Sequence, residues 1–247
     1  MKEILLHPQA SPKFYSPKEV FFCPEESQFY ARCLESLVLK NCLSSERVVE
    51  FGCGDGSPVI TALLRTPFDS IINGYELNPS SCQVAKARVE QYGLSGKYVI
   101  HNSSFFEASN SEAAYLIANP PYLPAPDNDI LMPLLHGGAD GAALTKRLLG
   151  LGYENALLMI SSYSNPVDTI HYAIAQGYGV ADFMVVPLKF GYYSCEPKVE
   201  NSILELRKHH KAFYSDKVYF LAGVLFKQQQ EALLDLSNEL IQVMTAL

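Results

Sequence analysis

An open α/β sheet wound on both sides by helices is the fold this chain predicts, and three observations carry it. Short apolar runs alternate with helical stretches along most of its 247 residues, as strands joined by helical crossovers do. The first five runs are apolar nearly throughout, as expected for parallel strands buried on both faces. No repeat, low-complexity tract or linker interrupts the pattern, so a single unit over residues 1–247 is expected.

The elements follow in order. An N-terminal segment with a helix takes residues 1–40. Strand-like runs then fall at "RVVEFG" (47–52), "SIINGYEL" (70–77), "KYVIHNS" (97–103), "AAYLIAN" (113–119) and "NALLMISS" (155–162). Between the second and third lies "NPSSCQVAKARVEQYG", a helix with Asn78 and Ser80 as caps and Gly93 as its stop. Two longer runs complete seven strands, "ADFMVVPLKF" (181–190) and "KVYFLAGVLF" (217–226). The expected sheet is doubly wound and mostly parallel, with an antiparallel last strand. Residues 47–190 form its core, and 191–216 are an insertion containing the helix "KVENSILELRKHH". A C-terminal helix is expected within 227–247, where Leu233, Leu236, Leu240, Met244 and Leu247 make one stripe. That stripe suits docking on the chain's own body, or a homodimer seam.

Composition narrows the setting. Apolar residues are 48% and charged ones 18%, the balance of a soluble globular protein. No run has the length of a signal peptide core or a membrane span. Six cysteines lack metal-ligand or CxxC spacing, which fits reduced thiols in a cytoplasm and no metal. Cys195 has no evident His partner and reads as structural. The net charge of −7 argues against a protein built to grip long nucleic acid. The basic, aromatic segment "LRKHHKAFYSDK" (206–217) reads as a solvated helix end, and would favour RNA only if it flanked a pocket.

"VVEFGCGDGSP" (48–58) runs a strand into Gly52, Gly54 and Gly56, which let the backbone approach a ligand. A dinucleotide fingerprint would need glycine where Ser57 stands. Glu50, just before the loop, repels pyrophosphate but suits a cationic ligand. Glu76, closing the second strand, can accept hydrogen bonds from both ribose hydroxyls of a nucleoside.

"NPPY" (119–122) closes the fourth strand, at the sheet edge where such folds bind ligands. An amide or aromatic amino nitrogen is a poor nucleophile because its lone pair is delocalised. If the Asn119 side-chain oxygen and the Pro120 carbonyl each accept one of its N–H bonds, the nitrogen can pyramidalise. Pro120 and Pro121 supply no competing N–H. Tyr122 can lie against the flat face of the acceptor.

The glycine loop resembles motif I of class I S-adenosylmethionine-dependent methyltransferases, (D/E)-x-G-x-G-x-G. "NPPY" resembles their motif for planar nitrogens. "HGGADGAALTKRLL" (136–149) resembles the stretch that follows it in the HemK-like family, which methylates a glutamine amide of release factors. Gly137, Gly138, Asp140, Gly141 and Arg147 match, and Ala142 replaces the usual leucine. "EVFFCPEESQFYARCL" (19–34) is similar to the family's "VxxPxEDT", with Glu26 and Ser27 for the acid and threonine. Ser104 stands where the family commonly has an aspartate. The family's N-terminal helical domain is not expected within these residues, and the insertion is unfamiliar.

The resemblance implies a Rossmann-like methyltransferase sheet that binds S-adenosyl-L-methionine through Glu50, Phe51, Gly52, Cys53, Gly54, Gly56, Glu76, Leu77, Ser104, Phe105 and Asn119. It implies catalysis by Asn119, Pro120, Pro121 and Tyr122, with a protein glutamine amide as the favoured acceptor. The acidic charge favours a protein over RNA or DNA, whose exocyclic amino groups are the alternative. A partner subunit is a further expectation. A cofactor-binding module without catalysis is opposed by the intact "NPPY", and a nicotinamide oxidoreductase by Ser57. Tyr192 and Tyr193 look exposed, and His101 and His136 lie near loops that could rim the pocket.

Overall fold

The structure is a computed structural model and describes residues 20–108, 112–228 and 234–247. Residues 1–19 and Leu233, included in the expectations above, lie outside the described residues. The strands are β1 (Val48–Phe51), β2 (Ile72–Tyr75), β3 (Tyr98–His101), β4 (Tyr115–Ala118), β5 (Asn155–Ser161), β6 (Tyr178–Lys189) and β7 (Val218–Gln228). They form one sheet in the order β3-β2-β1-β4-β5-β7-β6. Only β7 runs against the rest, pairing antiparallel with β5 and β6. This is the doubly wound, mostly parallel sheet that the sequence predicts.

Helices α1 (Pro24–Cys33), α2 (Ser57–Arg65) and α3 (Pro79–Gln91) contribute to one hydrophobic layer, and α1 continues as a π-helical stretch over Leu34–Leu39. Helices α4 (Ala143–Leu149), α5 (Pro166–Ala175) and α7 (Ser237–Met244) cover the other face. β5 shows the alternation: Leu157 and Met159 join the first core, while Ala156, Leu158 and Ile160 join the second. α6 (Pro197–Lys208) belongs to the excursion between β6 and β7.

Local chemistry accounts for the boundaries. Asn78 caps α3 by accepting from the Ser80 and Ser81 N–H groups, so Ser80 is capped rather than capping. Gly93 follows that helix with φ +67°. β6 begins three residues before the predicted run, carries an irregularity between Val180 and Asp182, and contains Pro187. All three fit an edge strand, where a missing ladder donor and a bulge are tolerated.

Two expectations need correction. β2 and β3 are not buried on both faces, because Asn73, Tyr75, Val99 and His101 are only half-buried. The link from β3 to β4 carries a short 3-10 turn, Phe105–Glu107, where the other crossovers among the parallel strands carry a helix. The C-terminal helix packs on α5 and β6, with Leu240 and Met244 fully buried, so its stripe serves the chain's own core.

Candidate active site

Strand register assembles the site. Phe51 pairs with Tyr75 in β2 and with Ala118 in β4. The residues that follow these three, Gly52, Glu76 and Asn119, therefore leave the sheet side by side. β1 and β4 are neighbours whose crossovers run to opposite sides, and a crevice opens at such a switch point. A cavity of about 1010 Å³ occupies it, at the top of the range for a single small ligand. Its wall includes Glu50, Phe51, Gly52, Cys53, Gly54, Glu76, Leu77, Ser104, Phe105 and all four residues of Asn119–Tyr122. Gly56 is the exception among the sequence candidates. It precedes α2 at φ +73°, and a Cβ there would stand 3.2 Å from that of Ala85, so it serves helix packing.

The glycine loop is shaped for a ligand. Gly52 and Gly54 have φ +67° and +54°, and a Cβ on either would meet nothing within 4 Å. Glu76 holds the loop in place: one carboxylate oxygen accepts from the Gly54 N–H and the other from the Asn78 N–H, both at 2.8 Å. Glu76 thus buttresses the loop as well as facing the cavity. Leu77 is exposed at the rim, while Phe105 is buried edge-on against Phe51 and Tyr75.

Glu50 is 1% exposed. The Tyr30 hydroxyl donates to it at 3.4 Å, and the Tyr98 hydroxyl donates to its other oxygen. Burial still dominates and pushes its pKa up to about 8. A buried carboxylate held near neutrality beside an open glycine loop fits a cationic ligand.

The turn after β4 is held from behind. The Ser164 hydroxyl donates to the Tyr122 carbonyl at 2.7 Å. A Cβ on Gly137 would lie 2.7 Å from the Tyr122 Cα and 2.8 Å from the Pro121 carbonyl oxygen. On Gly141, at φ +78°, it would lie 2.5 Å from the Tyr122 carbonyl oxygen. Asp140 accepts from the Asn165 side chain at 2.7 Å, tying this glycine turn to the start of α5. "GGADG" is therefore the glycine bed on which "NPPY" rests. Gly141→Ala should destabilise the chain by about 2 kcal/mol, combining a strained φ with a backbone clash. Thermal melting against Gly96→Ala, a site with space for a Cβ, measures it.

Asn119 presents a side-chain oxygen that is buried and has no hydrogen-bond partner. Such an atom costs stability unless a ligand donates to it. Glu26 lines the same cavity, though the sequence places it in a motif and not in the site. Glu26 is 8% exposed and accepts from the Tyr219 hydroxyl at 3.2 Å. Burial raises its pKa, while Tyr122, Tyr219 and Asn119 act as donors that offset part of the rise. The available signal was periodicity: Glu26 shares the buried stripe of Tyr30, Cys33 and Leu37. Tyr163, Phe190 and Tyr219 extend this wall in ring contact, with Tyr163 and Tyr219 centroids 4.7 Å apart. Nothing local in the sequence marks them, since they come from three separate segments.

Other candidates fall elsewhere. Tyr192 is exposed on the rim as expected, but Tyr193 is buried and stacks on Phe21. His136 lines the cavity and bonds the Ala125 carbonyl at 2.9 Å. His101 lies off the wall, stacked on Tyr75. Cys195 is exposed and also off the wall. No residue of 206–217 lines the cavity. The cations of that segment are engaged: Lys208 with Glu205, Lys211 with Asp168, Lys217 with Glu200, and Arg207 over the Tyr214 ring. Among the described residues, no cluster could hold a metal ion, and no helix is long and apolar enough to cross a membrane.

Known proteins resemble parts of the chain. A release factor glutamine methyltransferase of Gloeobacter violaceus is 26% identical over 113 residues, covering 42% of this chain and 39% of that protein. A protein-lysine N-methyltransferase of Saccharolobus islandicus is 29% identical over 114 residues, covering 46% of this chain and 66% of that protein. The chain thus matches less than two thirds of either relative's length. The solved structure of PH1948 from Pyrococcus horikoshii superposes with a TM-score of 0.57 at 13% identity, covering 88% of this chain and 91% of that one. That likeness concerns the fold. The methyltransferase small domain profile matches residues 15–139, a span running from the Glu26 helix through the glycine loop to the turn after β4. The chain belongs to the methyltransferase small domain family.

Proposed function

We propose that the chain is an S-adenosylmethionine-dependent N-methyltransferase of HemK-like type, acting on a planar nitrogen, with a protein glutamine amide as the favoured acceptor. The observation that carries this reading is the buried, unpartnered Asn119 oxygen at the cavity wall, followed by two prolines without N–H groups. When bound, S-adenosylmethionine supplies a methyl group made electrophilic by its sulfonium. Gly52 and Gly54 would give it backbone access, Glu50 would offset its cationic charge and Glu76 would accept from its ribose hydroxyls, with Leu77, Ser104 and Phe105 available to its base. Asn119 and the Pro120 carbonyl orient the acceptor nitrogen by taking its N–H bonds, and Tyr122 packs on the acceptor plane.

Charge on the wall supports a protein acceptor over RNA or DNA. Beside the buried carboxyls of Glu26, Glu50 and Glu76, the wall carries Glu25, Asp55 and Glu107 against Lys189 and Arg147. A polyanion finds no basic stripe to hold it there. A lysine amine is a second reading, favoured by the Glu26 carboxylate, which suits a nitrogen arriving charged. We place the enzyme in the cytoplasm, treat residues 47–190 as its catalytic core, and leave a partner subunit within the proposal.

Titration calorimetry with S-adenosylmethionine and separately with NADH tests the cofactor. Micromolar binding of the first and none of the second is expected. Labelled-methyl transfer to glutamine peptides, lysine peptides and RNA then tests the acceptor. Transfer to RNA alone would overturn the protein reading.

A further inference from the structure

A carboxylate shut away from water needs a proton or a cation to offset its charge. Glu26 is 8% exposed and takes part in none of the ion pairs among the described residues. The Tyr219 hydroxyl donates to it at 3.2 Å, which fills a lone pair but brings no charge. The two cations of the cavity wall are placed elsewhere. Arg147 lies 3.5 Å from the centre of the Phe106 ring, and Lys189 is exposed.

Around Tyr219 the wall is aromatic. Tyr163 lies 4.7 Å from its ring centre and Phe190 5.9 Å, and the Tyr122 hydroxyl is 3.5 Å from its own. None of these rings is stacked on another. Tyr122 meets Tyr163 at 58°, Tyr163 meets Phe190 at 66°, and Tyr219 meets Tyr163 at 55° and Phe190 at 71°. Rings tilted in this way do not cover one another's faces, and the face carries the negative part of the ring quadrupole. All four rings and Glu26 line the cavity. Packing alone accounts for the rings. It does not account for Glu26, which an apolar side chain would replace without the cost of a buried charge.

We propose that Glu26, Tyr163, Phe190 and Tyr219 form a subsite for a cationic side chain of the substrate, a lysine or arginine that neighbours the residue to be methylated. The proposal deepens the methyltransferase reading and rests on it for the identity of the substrate. An ammonium or guanidinium seated there offsets the carboxylate and lies against ring faces, two attractions that a neutral side chain lacks. Tyr122 joins the subsite to the acceptor turn, since it closes "NPPY" and its hydroxyl reaches that of Tyr219. The cation and the acceptor nitrogen are thus held on either side of one ring.

The probe is n-butylammonium, with n-butanol as its neutral match, titrated by NMR into the full, cofactor-free chain. The ammonium should bind at least about tenfold more tightly than the alcohol. Glu26→Gln, which keeps an acceptor for the Tyr219 hydroxyl, should abolish that preference. Phe190→Leu tests the subsite without touching the carboxylate, and should cut the preference about two- to fivefold. Glu50→Gln should leave it unchanged. Equal binding of the two probes to the wild type overturns the proposal, and so does a preference that survives Glu26→Gln but is lost in Glu50→Gln. Turnover is read with glutamine peptides carrying a neighbouring lysine or norleucine. The lysine peptide should have at least a tenfold higher kcat/KM, and Glu26→Gln should bring the ratio near one. Equal use of both peptides by the wild type overturns the assignment of the cation to the substrate. A wild type that prefers n-butylammonium yet neither binds S-adenosylmethionine nor transfers methyl leaves the cation subsite standing and sinks the methyltransferase reading instead.

Discussion

Asn119→Ala is expected to lower kcat by about 10²- to 10³-fold while changing S-adenosylmethionine affinity by less than about fivefold. The asymmetry follows from where the side chain sits. Its oxygen is buried without a partner in the cavity wall, and in the proposed reaction the acceptor N–H is the donor that reaches it. The residues proposed to hold the cofactor, Glu50, Glu76 and the glycine loop, close the neighbouring strands β1 and β2 and do not depend on this amide. Single-turnover transfer and calorimetry on the same preparation measure both quantities. An equal loss in both would assign Asn119 to cofactor binding, and unchanged turnover would remove it from the site.

Glu50→Gln is expected to stabilise the ligand-free chain and cripple cofactor binding. The Glu50 carboxyl sits at about 8 in the fold, against 4.5 for the unperturbed group. Between those values the folded state holds more protons than the unfolded chain, so stability falls as pH rises. Glutamine, neutral throughout, escapes that fall. A gain of about 1–3 kcal/mol at pH 7 is expected, or roughly 3–8 °C in Tm, growing toward pH 8. The tyrosine hydroxyls of residues 30 and 98 can turn to accept from the new amide. Affinity for a cation should drop at least tenfold, since the wild type gains a buried ion pair on binding. Wild-type binding should tighten as pH rises toward 8, and release a proton below it. Melting curves at pH 6, 7 and 8, with and without S-adenosylmethionine, give the answer. Lower stability in Glu50→Gln at all three would show that the carboxylate is structural.

Much of this was legible because local rules and the fold agree. Seven apolar runs became seven strands, since sheet strands need little beyond the right residues at the right period. The glycine loop and "NPPY" could be read as a pair because each closes a strand and each resembles a motif of the same family, while the sheet order sets β1 beside β4. Thirteen of the fourteen residues assigned to the site from sequence line the cavity, and Gly56 misses because a left-handed glycine before a helix serves packing as readily as a ligand. β2 and β3 were misread for a similar reason. Their apolar composition does not reveal that a neighbouring crossover carries only a 3-10 turn.

Contiguous residues were enough to give the doubly wound sheet, the glycine loop that closes β1 and the proline turn that closes β4. Each is written in contiguous residues whose spacing has direct physical meaning. Tertiary structure alone decided what shares the cavity with the "NPPY" turn. Glu26, Tyr163, Phe190 and Tyr219 lie far apart in the chain and share one wall, and no local pattern encodes their meeting. It also decided the chemistry of Glu50. A carboxylate is acidic by type, but burial between two tyrosines makes it titrate near pH 8, and burial is a property of the fold.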